Sequence, residues 1–455
     1  MNSAHIRKYA AVFVLAFLLT VVILIASLPS GNDISGDDIL DDVHDDNQIH
    51  IITPPNEDQQ YQGGREDDFE EQEPEREEEP ERESPIIEKV ELNDEPMPEN
   101  LAAIAEKYNV IGMSLVVIKN GEVDKSYVYG YRDRENQIAF SSSTVMRTAA
   151  VSEMVSAVGV MKLCESGELN LDLPIDDFLG YSAMNPKVKK TITLRQILTH
   201  TAGISDYGAY NRVVNNDLSY QTLKNMLNGE YASSNFFEMN PGYKYEFSNF
   251  GAAMIAPIVS SVTNESFDDY MSQILFDKLC LDAAYSSAGI EGKAKIASIY
   301  RQNTLNYTPE QMDAFAAELM QIDPIDNYRI SHGNLFISAA DLSRIARMFL
   351  GYGEVDGVRI LERESVEDMI KTSARGSLYA DVSAGLGMTV NTKIVPGRTL
   401  YGHQGGAYGG TVEVFFDFSD NSGVIIVTNG SLNTTDDEDF SLMGKAFIQE
   451  IYKDN

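Results

Sequence analysis

The chain has 455 residues and a formal net charge of −35 at neutral pH. About −22 of that charge, 26 acidic residues against four basic ones, falls between Gly31 and Glu99. A chain this acidic repels DNA, RNA and anionic lipid headgroups, so no nucleic acid is expected among its partners.

The N-terminus opens with Arg7 and Lys8 ahead of "YAAVFVLAFLLTVVILIASLP", about twenty uncharged and mostly apolar residues. That length spans a bilayer. Basic residues before it and acidic residues after it place the bulk of the chain outside the cytoplasm. The expectation is a single-pass cell-membrane protein: residues 1–9 cytoplasmic, 10–28 a signal anchor, and the rest extracytoplasmic. A cleaved signal peptide is the alternative, since Ala26 and Ser27 are small; Pro29 just beyond argues against cleavage. Residues 29–99, with "REDDFEEQEPEREEEPERESP" at their centre, carry too few apolar residues to fold. Their like charges keep them extended. They read as a spacer, with a cation-binding tail as the other reading.

Folding begins near residue 100 and is expected to run to 455. "GMSLVVIKNGEVDKSYVYGYR" is a strand, an Asn120-Gly121 turn and a second strand. A buried helix follows, "RTAAVSEMVSAVGVMKLCESGELNLD", ending near Gly167. From about 171 to 341 the pattern is helical with loops. Two strands, "TVEVFFDF" and "GVIIVTNG", then bracket the turn "SDNS", and an amphipathic helix starts at about Asp436. Strands at both ends and helices between predict an α/β fold: one antiparallel sheet flanked by helices, with an inserted, mostly helical lobe. A ligand would sit in the cleft between them. Cys164 and Cys280 lie in apolar stretches without metal-ligand spacing and read as two buried free thiols.

Five stretches stand in order along this folded part: the helix with "ESGELNLDLPIDDFL", "ITLRQILTHTAGI", "PGYKYEFSNFG", "SHGNLFISAADLSRIARMFL" and "GHQGGAYGG". Together, over Met113 to Ile451, they resemble the serine β-lactamase and penicillin-binding-protein-like hydrolases of the class C-like branch. The resemblance implies a β-lactamase/transpeptidase-like fold. It also implies a chemistry of three groups: a Ser nucleophile at a helix start with a Lys three residues on, a Tyr-x-Asn motif, and a Lys- or His-x-Gly strand. An oxyanion hole of two backbone N–H groups completes it.

Carried over residue by residue, the resemblance puts Ala150 at the Ser position, Glu153 at the Lys position and Phe247 at the Tyr position. Asn249, His403 and Gly405 are retained. Gly406 and Ala150 would supply the oxyanion N–H groups. Ala150 has no nucleophilic atom, Glu153 reverses the charge of the base, and Phe247 lacks the hydroxyl. No Ser in the chain is followed by Lys three residues on, and Ser152 and Ser156 share a helical face that does not include position 150. The loss of Tyr fits the loss of its partners, because a buried phenol without them is costly. Glu153 is expected to accept hydrogen bonds from Asn249 or a nearby cation, or to bind a cationic group of a ligand or partner. His200, in "THTAG", reads as a structural loop residue. "GGAYGG" lacks a following Lys and leads into a strand, so it is no phosphate loop. No cofactor and no metal is expected.

The leading expectation is therefore a pseudoenzyme of the cell envelope with no catalytic residues. It would bind, sense or scaffold, with a peptidoglycan-peptide-like ligand or an envelope protein as partner. A residual hydrolase using Glu153 as general base on water is the alternative. A structural tether is the third reading, and an open polar cleft around Asn249 and His403 would count against it.

Overall fold

The computed structural model describes residues 87–371, 382–432, 434–436 and 439–454. The expected membrane anchor and almost all of the acidic linker lie outside the described residues. No helix among the described residues is long and apolar enough to cross a membrane.

The chain enters through β1 (Asp94–Pro96) and α1 (Glu99–Lys107), then forms β2 (Gly112–Lys119) and β3 (Glu122–Asp133). Asn120 and Gly121 both take positive φ, 52° and 81°, as the tight turn between twisted strands requires. A short strand β4 (Val145–Arg147) leads into α2 (Val151–Glu165), which stops at Gly167 with φ 79°. Almost every residue of α2 is buried, as a helix apolar on all sides must be.

The helical lobe follows. It contributes α3 (Leu194–Leu198), α4 (Asn249–Ala253) and α5 (Ile255–Thr263) to the argument below. The chain returns through β5 (Phe336–Ser338), which pairs with β4, and α6 (Ala339–Leu350). It then lays down β6 (Val382–Ala384), β7 (Thr389–Asn391), β8 (Leu400–Ala407), β9 (Gly410–Asp417) and β10 (Ser422–Thr428), and ends in α7 (Leu442–Ile451).

The sheet order is β1-β3-β2-β10-β9-β8-β7-β6, with a two-residue strand, Ile138–Ala139, added beside β3. The pairings are antiparallel except that of β1 with β3, which is parallel, so the sheet is mixed at one edge. The two ends of the folded part meet at its centre, where β2 pairs with β10.

Alternation along the central strands separates two cores. Val116, Ile118, Val412, Val414, Phe416, Ile425 and Val427 face the core that contains α2 and α6. Met113, Leu115, Phe415, Val424 and Ile426 face the opposite way, against Leu101 and Ala105 of α1 and Phe447 and Ile448 of α7. Strands covered on both faces lose the apolar-polar alternation of a half-exposed sheet.

The last helix begins six residues later than its sequence pattern suggested. Asp436 and Phe440 close a turn of their own, and Ser441 caps α7 by accepting from Gly444 N–H at 3.1 Å. Both cysteines are free, but they are partly rather than fully buried.

One buried carboxyl group sits in the layer between the sheet and α7. Glu413 of β9 is fully buried, and neither carboxylate oxygen has a hydrogen bond of good geometry, although Ser441 lies near. Burial raises its pKa from 4.5 to about 8. A β-carbon placed on Gly444 would land 1.6 Å from the carboxylate, so any side chain there forces the buried Glu413 carboxyl to move. Gly444→Ala is expected to cost about 1–3 kcal/mol by overpacking and to loosen α7 first, read by thermal melts and hydrogen exchange. Glu413 keeps its proton to a higher pH folded than unfolded. Its contribution is therefore full below about pH 4.5 and lost as pH rises through about 8. Melts of Glu413→Gln across that range should lack this share of the decline.

Candidate functional site

Strand β8 passes very close to the start of α2. A β-carbon on Gly405 would lie 2.3 Å from the Thr148 carbonyl and 2.8 Å from Ala150 N, so only Gly permits the approach. Ala149 takes φ +48°, a left-handed conformation costing roughly 1–2 kcal/mol in a non-glycine residue. The kink puts Ala150 at the N-cap of α2, facing a cavity of about 630 Å³. Ala150, Phe247, Asn249, His403, Gly405 and Gly406 all line this cavity, so the structure gathers six of the seven positions named from the sequence. Glu153 is the seventh. It lies deeper, 1 % exposed, and does not line the cavity.

Asp206, which the sequence reading missed, organises the segment after Phe247. Its Oδ2 accepts from Asn249 N–H and Asn249 Nδ2, both at 2.8 Å. Its Oδ1 accepts from Ser248 Oγ at 2.7 Å and Phe250 N–H at 3.0 Å. Four donors on one carboxylate fix the first turn of α4 and aim the Asn249 amide. The expected bond from Asn249 to Glu153 is not made: Asn249 Nδ2 donates to Asp206, and neither Glu153 oxygen has a hydrogen-bond partner. Only the side chain's aim at a loop backbone two elements away marks Asp206 as special, and "ISDYGAY" carries no spacing signal for that.

Phe247 also departs from expectation. It is 41 % exposed, its ring 4.6 Å from His200 and 6.4 Å from His403. A phenol at this position would reach water, so burial of an unpaired hydroxyl does not explain the change from Tyr. Ser152 and Ser156 are committed elsewhere. Ser152 Oγ lies 3.1 Å from Thr148 Oγ1 and accepts from Leu335 N–H, whereas Ser156 Oγ bonds Tyr285 Oη at 2.7 Å and the Ser331 carbonyl. Neither serves as a displaced nucleophile.

Beneath the cavity, Glu153 faces two imidazoles. His200 Nε2 lies 3.2 Å from Glu153 Oε2, an ion-pair distance, yet neither carboxylate oxygen forms an aligned hydrogen bond. Burial pushes Glu153 up to about 8, the His403 side chain opposing, and pushes His200 down to about 4. Burial also lowers His403. All three groups are therefore neutral near pH 7, and the short contact is not a salt bridge. His200 is the loop residue anticipated, with φ +53°, but its Nε2 also lies 3.2 Å from Glu153.

The cavity wall carries two guanidinium groups. Arg147 stacks over Tyr408 at 5.1 Å with its Nε buried and unbonded, and Arg329 stacks over Phe315 at 5.1 Å. Among the described residues neither forms an ion pair with a carboxylate.

The sequence pattern of the Beta-lactamase family matches residues 97–446 of this chain. The chain belongs to the Beta-lactamase family. It is 26 % identical over 351 residues to penicillin-binding protein 4 of Amycolatopsis lactamdurans, covering 74 % of this chain and 85 % of that one. An octameric penicillin-binding protein homologue from Pyrococcus abyssi shares the fold at a TM-score of 0.60 and 18 % identity, over 78 % of this chain and 76 % of that one. A penicillin-binding protein from Bacillus halodurans does so at 0.59 and 19 %, over 78 % and 100 %. The β-lactamase/transpeptidase-like architecture anticipated from the five stretches is the observed one.

Within this Beta-lactamase-family domain, Asp206→Ala should strand four donors at the cavity edge. It is expected to destabilise the chain by about 1.5–3 kcal/mol, as for hydrogen bonds to a charged group, with Asp206→Asn less affected. Urea denaturation curves of the two variants read the difference.

Proposed function

We propose that this chain is a non-catalytic binding member of the Beta-lactamase family, anchored in the cell membrane by residues 10–28 with its domain outside the cytoplasm. The observation that carries the reading is Ala150: a methyl group faces an open cavity where acyl transfer needs a nucleophilic oxygen. The surrounding scaffold supports binding. The strained turn at Ala149, the close approach of Gly405 and the Asp206-held Asn249 would position a ligand without reacting with it.

The ligand class follows from the wall. Arg147 and Arg329 offer two guanidinium groups without carboxylate partners among the described residues, and guanidinium matches a carboxylate in charge and planar geometry. A peptide with a free carboxylate, of the peptidoglycan-stem type, fits that chemistry. A cavity lined by Arg147, Asp206, Asn249 and Arg329 argues against a pure tether. The hydrolase alternative is disfavoured because Glu153 does not border the cavity and is protonated at neutral pH, so it offers no base to water.

Full-length protein incubated with a penicillin should show an unshifted intact mass and should not hydrolyse a chromogenic β-lactam. A stoichiometric acyl adduct would overturn the reading. Ala150→Ser alone should remain unacylated, because Glu153 and Phe247 stand where the family's activating Lys and Tyr would be. The triple change Ala150→Ser, Glu153→Lys and Phe247→Tyr should gain an adduct detectable by mass spectrometry.

A further inference from the structure

We propose that Glu153, His200 and His403 form a binding site for one divalent transition-metal ion, zinc by ligand chemistry, beneath the floor of the cavity. The ligand atoms these residues offer all lie within 4.8 Å of one another. They come from three separate parts of the fold: the first turn of α2, the loop after α3, and strand β8. Each is almost fully buried.

Glu153 is the residue that points to a missing ligand. A carboxylate in the protein interior is normally paired or hydrogen-bonded, yet both of its oxygens are buried without an aligned donor. The contact with His200 Nε2 at 3.2 Å does not satisfy it. It does match the spacing of about 3.3 Å between neighbouring ligands of a tetrahedral ion with bonds near 2.0–2.1 Å. The wider 4.8 Å limit on the set requires a small inward movement on binding.

His403 is already prepared as a ligand. Its Nδ1 lies 2.7 Å from the Gln404 carbonyl, which can only accept, so Nδ1 carries the proton and Nε2 presents its lone pair. A backbone carbonyl on the far nitrogen is the arrangement that orients metal-binding imidazoles. His200 must change. Its Nδ1 accepts from Ser248 N–H at 3.3 Å, which leaves the proton on Nε2. Ligation by Nε2 moves that proton to Nδ1 and gives up one long, neutral hydrogen bond in exchange for a coordinate bond.

Two imidazole nitrogens and one carboxylate oxygen select against magnesium and calcium, which take oxygen ligands, and suit zinc. Access runs through the cavity, where His403 forms part of the wall and the half-exposed Phe247 ring lies over His200. Binding would release the Glu153 proton to solvent, and the bound site would carry one net positive charge beneath Ala150.

The test uses the full-length chain in detergent, stripped with EDTA, re-equilibrated with zinc and desalted. Native protein should retain one zinc per chain more than Glu153→Gln or His403→Gln, measured by elemental mass spectrometry. The comparison cancels weak binding by the acidic N-terminal stretch, with its His44 and His50, because that stretch is common to all three. Zinc should raise the melting temperature of the native chain and not of the variants. Equal metal content and equal shifts in all three would overturn the proposal. Should either variant lose its circular-dichroism signature, cobalt replaces zinc in the native chain alone: visible d–d bands of a tetrahedral ion support the site, and their absence overturns it.

Discussion

The close approach of β8 to the start of α2 governs the cavity and what lies beneath it. With no side chain on Gly405, the strand comes within van der Waals contact of the backbone around Ala150. That contact sets Ala150 at the cavity, brings His403 to the same wall, and buries Glu153 one helical turn below. Any larger residue at 405 would push the strand out and open the floor. The strained φ of Ala149 is held by this packing, since a left-handed non-glycine residue persists only where its surroundings over-determine it.

Burial then decides the electrostatics. Glu153 sits in the first turn of α2, where the helix dipole favours negative charge, but desolvation outweighs it and keeps the carboxyl protonated near neutrality. Glu413, beneath the first turn of α7, repeats the pattern on the other face of the sheet. Asp206 is the contrast: a carboxylate of the same chain that meets four donors and holds a segment in place. The two carboxyls that no aligned donor reaches stay protonated, and the one that meets four donors becomes a structural anchor.

The architecture was readable before the coordinates because the repeating patterns that specify it are local. The Asn120-Gly121 turn, the Gly167 stop and the strands around "SDNS" need only neighbouring residues to declare themselves, and they fall where expected. The C-terminal helix start did not, because an Asp436-Phe440 turn competes with helix over the same residues. The parallel edge strand β1 is three residues long and carries no period to read.

The residue substitutions at the site were determined by sequence alone: Ala150, Glu153 and Phe247 stand in the chain whatever its shape, and a missing oxygen cannot be restored by folding. What surrounds them was decided by tertiary structure. Residues 153, 200 and 403 share no spacing, so no motif announces that their ligand atoms converge. Residue 206 gives no hint that it would take the Asn249 amide assigned to Glu153. Exposure of Phe247 and burial of Glu153 depend on which elements pack over each. Sequence order sets covalent neighbours and local periodicity; the distance between side chains far apart in the chain, and the water around them, exist only once the sheet and helices have closed.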